Sequence, residues 1–226
     1  GQILKDLIES NIIPTIKLEY LYRQNENSYI NTLANEIKLN DLSNKYLNKH
    51  DDYNFLECNS YNLKSTIKLL AQKLIDKNYN VSSLQFMAPM YRGECGIDNL
   101  NIVLQDVFNP KSTDKKEIKY VEVIYRENDK VLQLVNMPEE NIFNGDIGYI
   151  KKICLSNESE SKKNEIYIDF DGNVVKYQMD GLNKIKHGFI ISIHKSQGSE
   201  FDIVIIPVIK SYQRMLYKKL LYTAIT

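Results

Sequence analysis

A polar segment with the composition of a ligand-binding turn lies between two apolar runs near the end of the chain. Residues 189–193 and 203–206 are apolar, and residues 194–200 read His-Lys-Ser-Gln-Gly-Ser-Glu. Every side chain here can hydrogen-bond, and Gly198, which has none, lets backbone amides approach a ligand closely. The apolar runs predict strands of a parallel sheet that are buried on both faces. Because open α/β sheets bind ligands at the carboxyl ends of their strands, we predict a binding turn here. The alternative is a solvated loop between two core strands.

Alternating strands and helices are predicted before this turn. Apolar spacing predicts helices over residues 2–10, from Ser28 onward and within residues 61–77, and strands over residues 53–58 and 83–88. Residues 12–18, broken by Pro14, indicate a loop into a short strand, and residues 40–52 indicate a loop. This alternation is typical of βαβ units and predicts a parallel sheet.

The segment after the strand at 83–88 could contact phosphate. Gly93 and Gly96 predict a turn, Asp98 is a candidate helix N-cap, and a helix face follows from Leu100. Because helix N-termini attract anions, Arg92 and the amides near the helix start are candidate phosphate contacts. A simple strand–helix connection is the alternative.

Helical spacing disappears between residues 120 and 188. Short alternating segments and two hairpin signals, Asn144-Gly145 and Asp171-Gly172-Asn173, predict a small antiparallel barrel. The predicted strands are residues 121–125, 131–135, 147–153, 165–170 and 174–178. Residues 213–226 predict a helix running into a loop, with Leu216, Leu220 and Leu221 buried.

The composition excludes some classes of protein. The 226 residues are 43% hydrophobic, enough for a core, and the 29 basic and 29 acidic side chains cancel, which disfavours a stand-alone nucleic-acid binder. A run of 18 apolar residues and a signal segment are both absent, so we expect no membrane association and a cytoplasmic location. The three cysteines are too scattered for a zinc site and indicate buried thiols in a reducing compartment.

Four segments, in order, resemble the RecD-like superfamily-one DNA helicases, the exodeoxyribonuclease V α-subunit family. Residues 194–201, His-Lys-Ser-Gln-Gly-Ser-Glu-Phe, resemble motif V, and residues 21–24, Leu-Tyr-Arg-Gln, resemble motif IV. Residues 87–101 are similar to the family's Pro-Met-x-x-Gly loop and the helix after it. Residues 220–226, Leu-Leu-Tyr-Thr-Ala-Ile-Thr, resemble the start of motif VI.

The resemblance implies an α/β fold, with a RecA-like parallel sheet flanked by helices and an inserted small SH3-like β-barrel. The implied RecA-like domain comprises residues 1–113 and 189–226, and the barrel residues 114–188. Residues 1–12 resemble the tail of a preceding motor domain. By resemblance the barrel shapes the DNA channel, although packing passively or binding a protein partner remains an alternative.

The resemblance also implies roles for single residues. Arg23 would act on the γ-phosphate as the catalytic residue, and the implied nucleotide-binding residues are Tyr22, Arg23, Gln24, Gly198 and Glu200. The implied DNA-binding residues are Arg92, Asn99, Asn101, His194, Lys195, Ser196, Gln197 and Asn144. No metal ligand is implied. Without the resemblance, Arg23 could equally be a solvated residue at a helix start and Tyr22 a core residue.

The implied function is that of the C-terminal half of an ATP-dependent DNA helicase, with 5′-to-3′ direction. ATP with Mg²⁺ would serve the intact protein, and the partners would be single-stranded DNA, a preceding RecA-like domain and other subunits of a recombination nuclease. A Gly-x-x-x-x-Gly-Lys-Ser/Thr phosphate loop is absent from the sequence, so we expect the 226 residues alone to bind no nucleotide and hydrolyse no ATP. A superfamily-one helicase acting on RNA or in the 3′-to-5′ direction, and a non-catalytic binding module, are the alternatives.

Overall fold

A computed structural model describes residues 2–16 and 28–226 and divides the chain into two compact units, Gly1–Phe55 and Leu56–Thr226. The helices are α1 Gln2–Glu9, α2 Tyr29–Leu39, α3 Leu63–Asp76, α4 Ile97–Phe108 and α5 Lys218–Ile225. The strands are β1 Leu84–Ala88, β2 Glu117–Tyr120, β3 Val123–Arg126, β4 Lys130–Gln133, β5 Ile147–Cys154, β6 Glu165–Phe170, β7 Asn173–Gln178, β8 Ile185–His187, β9 Ile190–Ser192 and β10 Ile203–Ile205. No helix in the described ranges is long and apolar enough to cross a lipid bilayer.

The first unit is organised around α2, whose buried face includes Leu33, Ala34 and Ile37. At its start, the Asp52 carboxylate accepts hydrogen bonds from the Ser28 hydroxyl at 2.5 Å and the Tyr29 amide at 3.3 Å. These bonds satisfy donors that a helix start leaves unpaired, and they confirm the predicted helix. The strand predicted over residues 53–58 is wrong: these residues pair with no strand, and residues 54–57 are exposed.

The second unit contains a three-stranded parallel sheet in the order β10-β1-β9. Phe86 of β1 lies opposite Ile190 on one side and Ile205 on the other. Strand β9 is buried along its length, as predicted, but the prediction is wrong for β10, where Val204 is 37% exposed. Both are edge strands of this sheet, but Ile190 of β9 lies within the core formed with α3 and α4, whereas Ile205 of β10 packs against that core only partly buried. Apolar residues of α3 and α4 complete the core against the sheet.

An antiparallel sheet occupies the chain between α4 and β9. Five strands pair in the order β7-β6-β5-β4-β8, and β2 pairs with β3 separately. The predicted barrel does not close, because the short helical segment Met179–Lys184 separates β7 from β8. The hairpin signal at Asp171-Gly172 is confirmed, with φ values of 53° and 90° between β6 and β7. Asn144-Gly145 instead ends a long β4–β5 connection, so it is not a two-residue hairpin. The domain boundaries given above stay a prediction.

Lys130 places an ammonium group inside this unit. The side chain is 1% exposed, and Nζ donates to the Leu84 carbonyl at 2.9 Å. Burial lowers the pKa of Lys130 to about 8. In the unfolded chain its pKa returns to about 10.4, so between these values the unfolded state binds more protons than the folded state. The free energy of unfolding contributed by Lys130 therefore rises as the pH rises from about 8 to 10.

We expect this rise to disappear in Lys130→Met. Between pH 7 and 9.5 the free energy of unfolding of the unmodified chain should gain about 2 kcal/mol relative to the variant. Urea unfolding at several pH values measures the difference. Burial raises the pKa of Tyr149 and Tyr177 to about 12. Above pH 10 these tyrosines lose their protons in the unfolded chain but not in the folded chain, which favours unfolding. The comparison therefore stops at pH 9.5. Parallel pH profiles for the two proteins would contradict the prediction.

Candidate nucleic-acid and nucleotide interface

The polar segment at 194–200 forms a tight turn directly after β9. The amides of Lys195 and Ser196 donate to the Ser192 carbonyl at 2.9 and 3.3 Å, which winds the backbone into one helical turn. The turn ends at Gly198, whose φ of 90° favours glycine. His194, Gln197, Gly198 and Glu200 are exposed, and Lys195 is half-buried. The turn therefore presents several polar groups at the carboxyl end of a core strand.

Ser196 points inward. Its side chain is 6% exposed, and its hydroxyl donates to the Ile193 carbonyl at 2.9 Å. This bond holds the turn against the strand, so the geometry gives Ser196 a structural role where the resemblance implied a DNA contact.

Lys195 joins the turn to the antiparallel sheet. Its Nζ donates to Oδ1 of Asn144, and the Asn144 amide donates to the Asn136 side chain at 2.8 Å. Lys195 and Asn144 are 51 positions apart in the chain. The structure thus brings together two of the residues that the sequence predicts to bind DNA, one from the polar turn and one from the β4–β5 connection of the antiparallel sheet.

A groove of about 310 Å³ runs beside this bridge. It is lined by Asn141, Gly145, Asp146, Ile147, Phe170, Asp171 and Ser199. Two carboxylates in this lining make the groove unfavourable for a phosphate group. The groove was not predicted from the sequence, because its lining residues come from four separated segments.

The loop between β1 and α4 is folded tightly on itself. The amides of Ile97 and Asp98, at the start of α4, donate to the carbonyls of Met90 and Tyr91 at 2.9 and 3.2 Å. These amides are therefore occupied by the loop, which disagrees with their prediction as phosphate contacts. The N-cap is Gly96, so the prediction of Asp98 as the cap is wrong. Gly96 is needed because the loop carbonyls pass so close to it.

Two of the predicted DNA-binding residues in this region remain at the surface. Arg92 is exposed, and exposed Asn99 donates to the Gly93 carbonyl at 2.8 Å. Asn101, by contrast, is 4% exposed. Its amide nitrogen donates to the Ile190 carbonyl at 2.9 Å, and its oxygen accepts the Ile190 amide at 3.0 Å. Asn101 thus hydrogen-bonds the backbone of β9 at Ile190, and the geometry gives it a structural role.

Three further side chains connect this loop with β9 and β8. The Tyr91 hydroxyl donates to Ser192 Oγ at 3.2 Å, and Lys186 Nζ lies 5.0 Å from the centre of the Tyr91 ring. Lys186 Nζ also lies 3.0 Å from the Asp98 carboxylate in the first turn of α4. Lys186 and Ser192 were not among the functional residues predicted from the sequence, because no local sequence pattern distinguishes them. The loop after β1 and the turn after β9 meet at one end of the parallel sheet.

Only some of the residues predicted to bind the nucleotide lie in the described part of the chain. Tyr22, Arg23 and Gln24 lie outside the described residues, whereas Gly198 and Glu200 lie on the exposed part of the turn. In residues 2–16 and 28–226, no three His, Cys, Asp or Glu side chains gather where they could hold a metal ion. The three cysteines are free thiols.

Two segments of the chain match models of known protein families. Residues 100–170 match the ATP-dependent RecD-like DNA helicase SH3 domain, and residues 187–226 match the UvrD-like helicase C-terminal domain. The first segment comprises most of the antiparallel sheet together with α4. The second contains β9, the polar turn and α5.

Two curated relatives are similar over most of the chain. The ATP-dependent RecD2 DNA helicase of Deinococcus radiodurans is 33% identical over 144 residues, covering 64% of this chain and 19% of that protein. The RecBCD enzyme subunit RecD of Buchnera aphidicola subsp. Schizaphis graminum is 25% identical over 212 residues, covering 89% of this chain and 31% of the relative. The chain thus spans less than a third of the length of these relatives.

Solved structures with a similar fold include Pif1 helicases. The Pif1 helicase from Bacteroides in complex with ADP-AlF3 and ssDNA matches with a TM-score of 0.51 and 14% identity, covering 93% of this chain and 48% of that structure. A structure of two coordinating Pif1 helicases at forked dsDNA also has a TM-score of 0.51, with 15% identity, 91% of this chain and 45% of the other covered. At these identities the likeness concerns the fold alone.

Proposed function

Because this chain carries RecD-like SH3 and UvrD-like C-terminal helicase domains, we propose that it is the second motor domain of an ATP-dependent DNA helicase. In the intact protein it would close on ATP together with a preceding RecA-like domain. Its own contribution is a surface that grips single-stranded DNA and one wall of the nucleotide site. The proposed direction of movement is 5′ to 3′.

The observation that carries this proposal is the meeting of three elements at one end of the parallel sheet. The polar turn is bridged to the antiparallel sheet by Lys195 and Asn144, and the loop after β1 reaches β9 through Tyr91 and Ser192. Exposed amides, a guanidinium and an ammonium group at one edge suit a phosphodiester backbone. The proposed DNA contacts are Arg92, Asn99, Asn144, His194, Lys195 and Gln197.

The proposed nucleotide contacts are Tyr22, Arg23, Gln24, Gly198 and Glu200. An arginine guanidinium matches phosphate oxygens in a bidentate geometry, and an aromatic ring can stack on adenine. ATP with Mg²⁺ is the proposed cofactor, with the ion held by the preceding RecA-like domain. The names of the relatives support this choice, since one is called an ATP-dependent DNA helicase and one structure holds ADP-AlF3 and ssDNA.

A second proposal concerns partners. One relative is named as the RecD subunit of the RecBCD enzyme, whereas the other is named as the ATP-dependent RecD2 DNA helicase. Single-stranded DNA and a preceding motor domain are the proposed partners in either case. Association with nuclease subunits is proposed only if the intact protein is a RecD subunit like that of the RecBCD enzyme.

The proposed function is tested with the full-length protein and tailed duplexes. We expect ATP hydrolysis stimulated by single-stranded DNA, and unwinding of duplexes that carry a 5′ tail. Unwinding only from 3′ tails would overturn the proposed direction, and hydrolysis stimulated by RNA alone would overturn the proposed substrate. Absence of both hydrolysis and unwinding would leave a non-catalytic binding module as the correct description.

We expect Lys195→Ala to weaken binding of single-stranded DNA by about tenfold at low salt, with little dependence on the DNA sequence. The variant removes one ammonium from the proposed phosphate surface, so the plot of log affinity against log salt should become shallower by about 0.7. Fluorescence anisotropy with labelled oligonucleotides at several salt concentrations measures both quantities. Lys68→Ala, an exposed lysine on α3, is the matched control. If both variants bind alike, Lys195 contacts no phosphate.

A further inference from the structure

A set of buried polar side chains lies between the antiparallel sheet and the rest of the second unit. We call Gln105, Asn109, Asp129, Lys130 and His187 the seam; each is less than 9% exposed. Buried polar groups are costly unless they are paired, so their hydrogen bonds reveal which parts of the fold must stay together.

Asp129 is the centre of the seam and is fully buried. Its carboxylate accepts hydrogen bonds from the Arg126 amide at 2.6 Å, Gln105 Nε2 at 2.7 Å and Asn109 Nδ2 at 2.7 Å. His187 Nε2 lies 3.2 Å from the same carboxylate. Several donors converging on one carboxylate compensate for its removal from water.

These partners belong to three different elements. Gln105 is on α4 and Asn109 is its C-cap, Asp129 lies between β3 and β4, and His187 ends β8. Helix α4 begins beside the loop that carries Arg92, and the chain from β8 continues through β9 into the polar turn. The Asp129 carboxylate therefore connects the antiparallel sheet to both elements that present the proposed DNA contacts.

Lys130 and Gly188 make a second connection beside the first. Lys130 Nζ donates to carbonyls at the start of β1, at 2.9 Å from Leu84 and 3.4 Å from Val81. The Gly188 amide donates to the Lys130 carbonyl at 2.7 Å. A Cβ atom at Gly188 would lie 2.9 Å from the Val131 carbonyl carbon, so the two backbones are in direct contact here. Two adjacent sets of contacts prevent the antiparallel sheet from rotating against the rest of the unit as well as from separating from it.

We propose that Asp129 is a positioning residue that holds the antiparallel sheet, α4 and the β8–β9 segment together as one rigid body. Asn144 of the antiparallel sheet and Lys195 of the turn then move together when the motor domain moves. In this way movement of the parallel sheet would carry the whole DNA-gripping surface with it. The role in unwinding rests on the proposed helicase function; the rigid connection does not.

The role in unwinding is tested with Asp129→Asn in the full-length protein. The asparagine keeps the shape but replaces one acceptor oxygen with an NH₂ group, which faces the donors that now converge on the carboxylate. We expect DNA-stimulated ATP hydrolysis to change by less than about twofold, and the base pairs unwound per ATP to fall by about tenfold. Asp114→Asn, an exposed aspartate before β2, is the control. Equal loss of hydrolysis and unwinding, or no loss of either, would overturn the role.

The rigid connection has a separate structural test. Spin labels at Leu69→Cys on α3 and Val174→Cys on β7, both exposed, report the distance between the two parts by pulsed electron paramagnetic resonance. Cys58, the one native cysteine that is not fully buried, is replaced by serine in every variant. We expect a narrow distance distribution with Asp129 present and a broader one in Asp129→Asn. Gln105→Leu removes a donor on α4 and substitutes no residue of the antiparallel strands. It should also broaden the distribution, and it replaces Asp129→Asn if that variant does not fold. A broad distribution in the unmodified protein, or a narrow one in every folded variant, overturns the proposal.

The two tests separate the two proposals. If the unmodified protein neither hydrolyses ATP nor unwinds DNA, the proposed function fails while the distance measurement still decides whether the connection is rigid. If the unmodified protein unwinds DNA and the distances are insensitive to both variants, only the positioning role fails.

Discussion

Replacing Arg23 with alanine in the full-length protein should lower the rate of DNA-stimulated ATP hydrolysis by about 10³-fold or more. The proposed reason is that a guanidinium facing the γ-phosphate stabilises charge that develops in the transition state of phosphoryl transfer. Arg23→Lys should restore little of this rate, because an ammonium group keeps the charge but not the planar fork that pairs with two phosphate oxygens. Steady-state hydrolysis at saturating DNA measures the effect.

The matched control is Arg214→Ala, which removes an exposed arginine from the second unit. It should leave hydrolysis within about twofold of the unmodified rate, as expected for a surface substitution. A comparable loss in both variants would indicate general damage to the fold. If Arg23→Ala retains full activity, Arg23 has no role at the γ-phosphate.

Replacing Gly96 with alanine should destabilise the second unit by about 3 kcal/mol, because the new methyl group has no space. The φ of Gly96 is −79°, which any residue adopts, so the effect is steric. A Cβ here would lie 2.5 Å from the Arg92 carbonyl oxygen and closer still to that of Tyr91. Both clashes involve backbone, so relief requires the loop after β1 to move.

The melting temperature should consequently fall by roughly 6–12 °C, since a domain of this size loses about 2–4 °C per kcal/mol. Circular dichroism during heating gives the value. We also expect weaker DNA binding, because displacement of the loop moves Arg92 and Asn99. Gly181→Ala is the control: its Cβ would lie 3.6 Å from the Tyr177 ring, an ordinary contact. An unchanged melting temperature in Gly96→Ala would show that the loop is more adaptable than its hydrogen bonds suggest.

Local patterns in the sequence predicted much of the fold correctly. Apolar spacing located α2, α3, α4 and the buried strands β1 and β9, and Asp171-Gly172 located a hairpin. These features depend on residues close together in the chain, where periodicity and turn chemistry act directly. The SH3-like segment was inferred from the resemblance to RecD-like helicases and not from local patterns, and residues 100–170 match a RecD-like SH3 domain. The α/β class is confirmed by the parallel sheet and the helices packed against it.

The errors came from features that depend on distant residues. Residues 53–58 have the composition of a strand but find no strand to pair with, and Asp98 has a favoured capping side chain although loop carbonyls already occupy the helix start. The predicted barrel stays open because a short helical segment lies between β7 and β8. In each case the local preference was present and the tertiary partner decided the outcome.

By itself, the sequence determined which residue types are available at each strand end and turn, and hence the class of fold and the polar turn after β9. Only the tertiary structure decided what those side chains do: Asn101 binds the backbone of Ile190, 89 positions away, and Lys195 binds Asn144. It also buried Asp129 among donors from α4 and β8. The physical reason is that burial and hydrogen-bond partners are set by segments that meet only when the chain folds, whereas helix, strand and turn preferences act between neighbours.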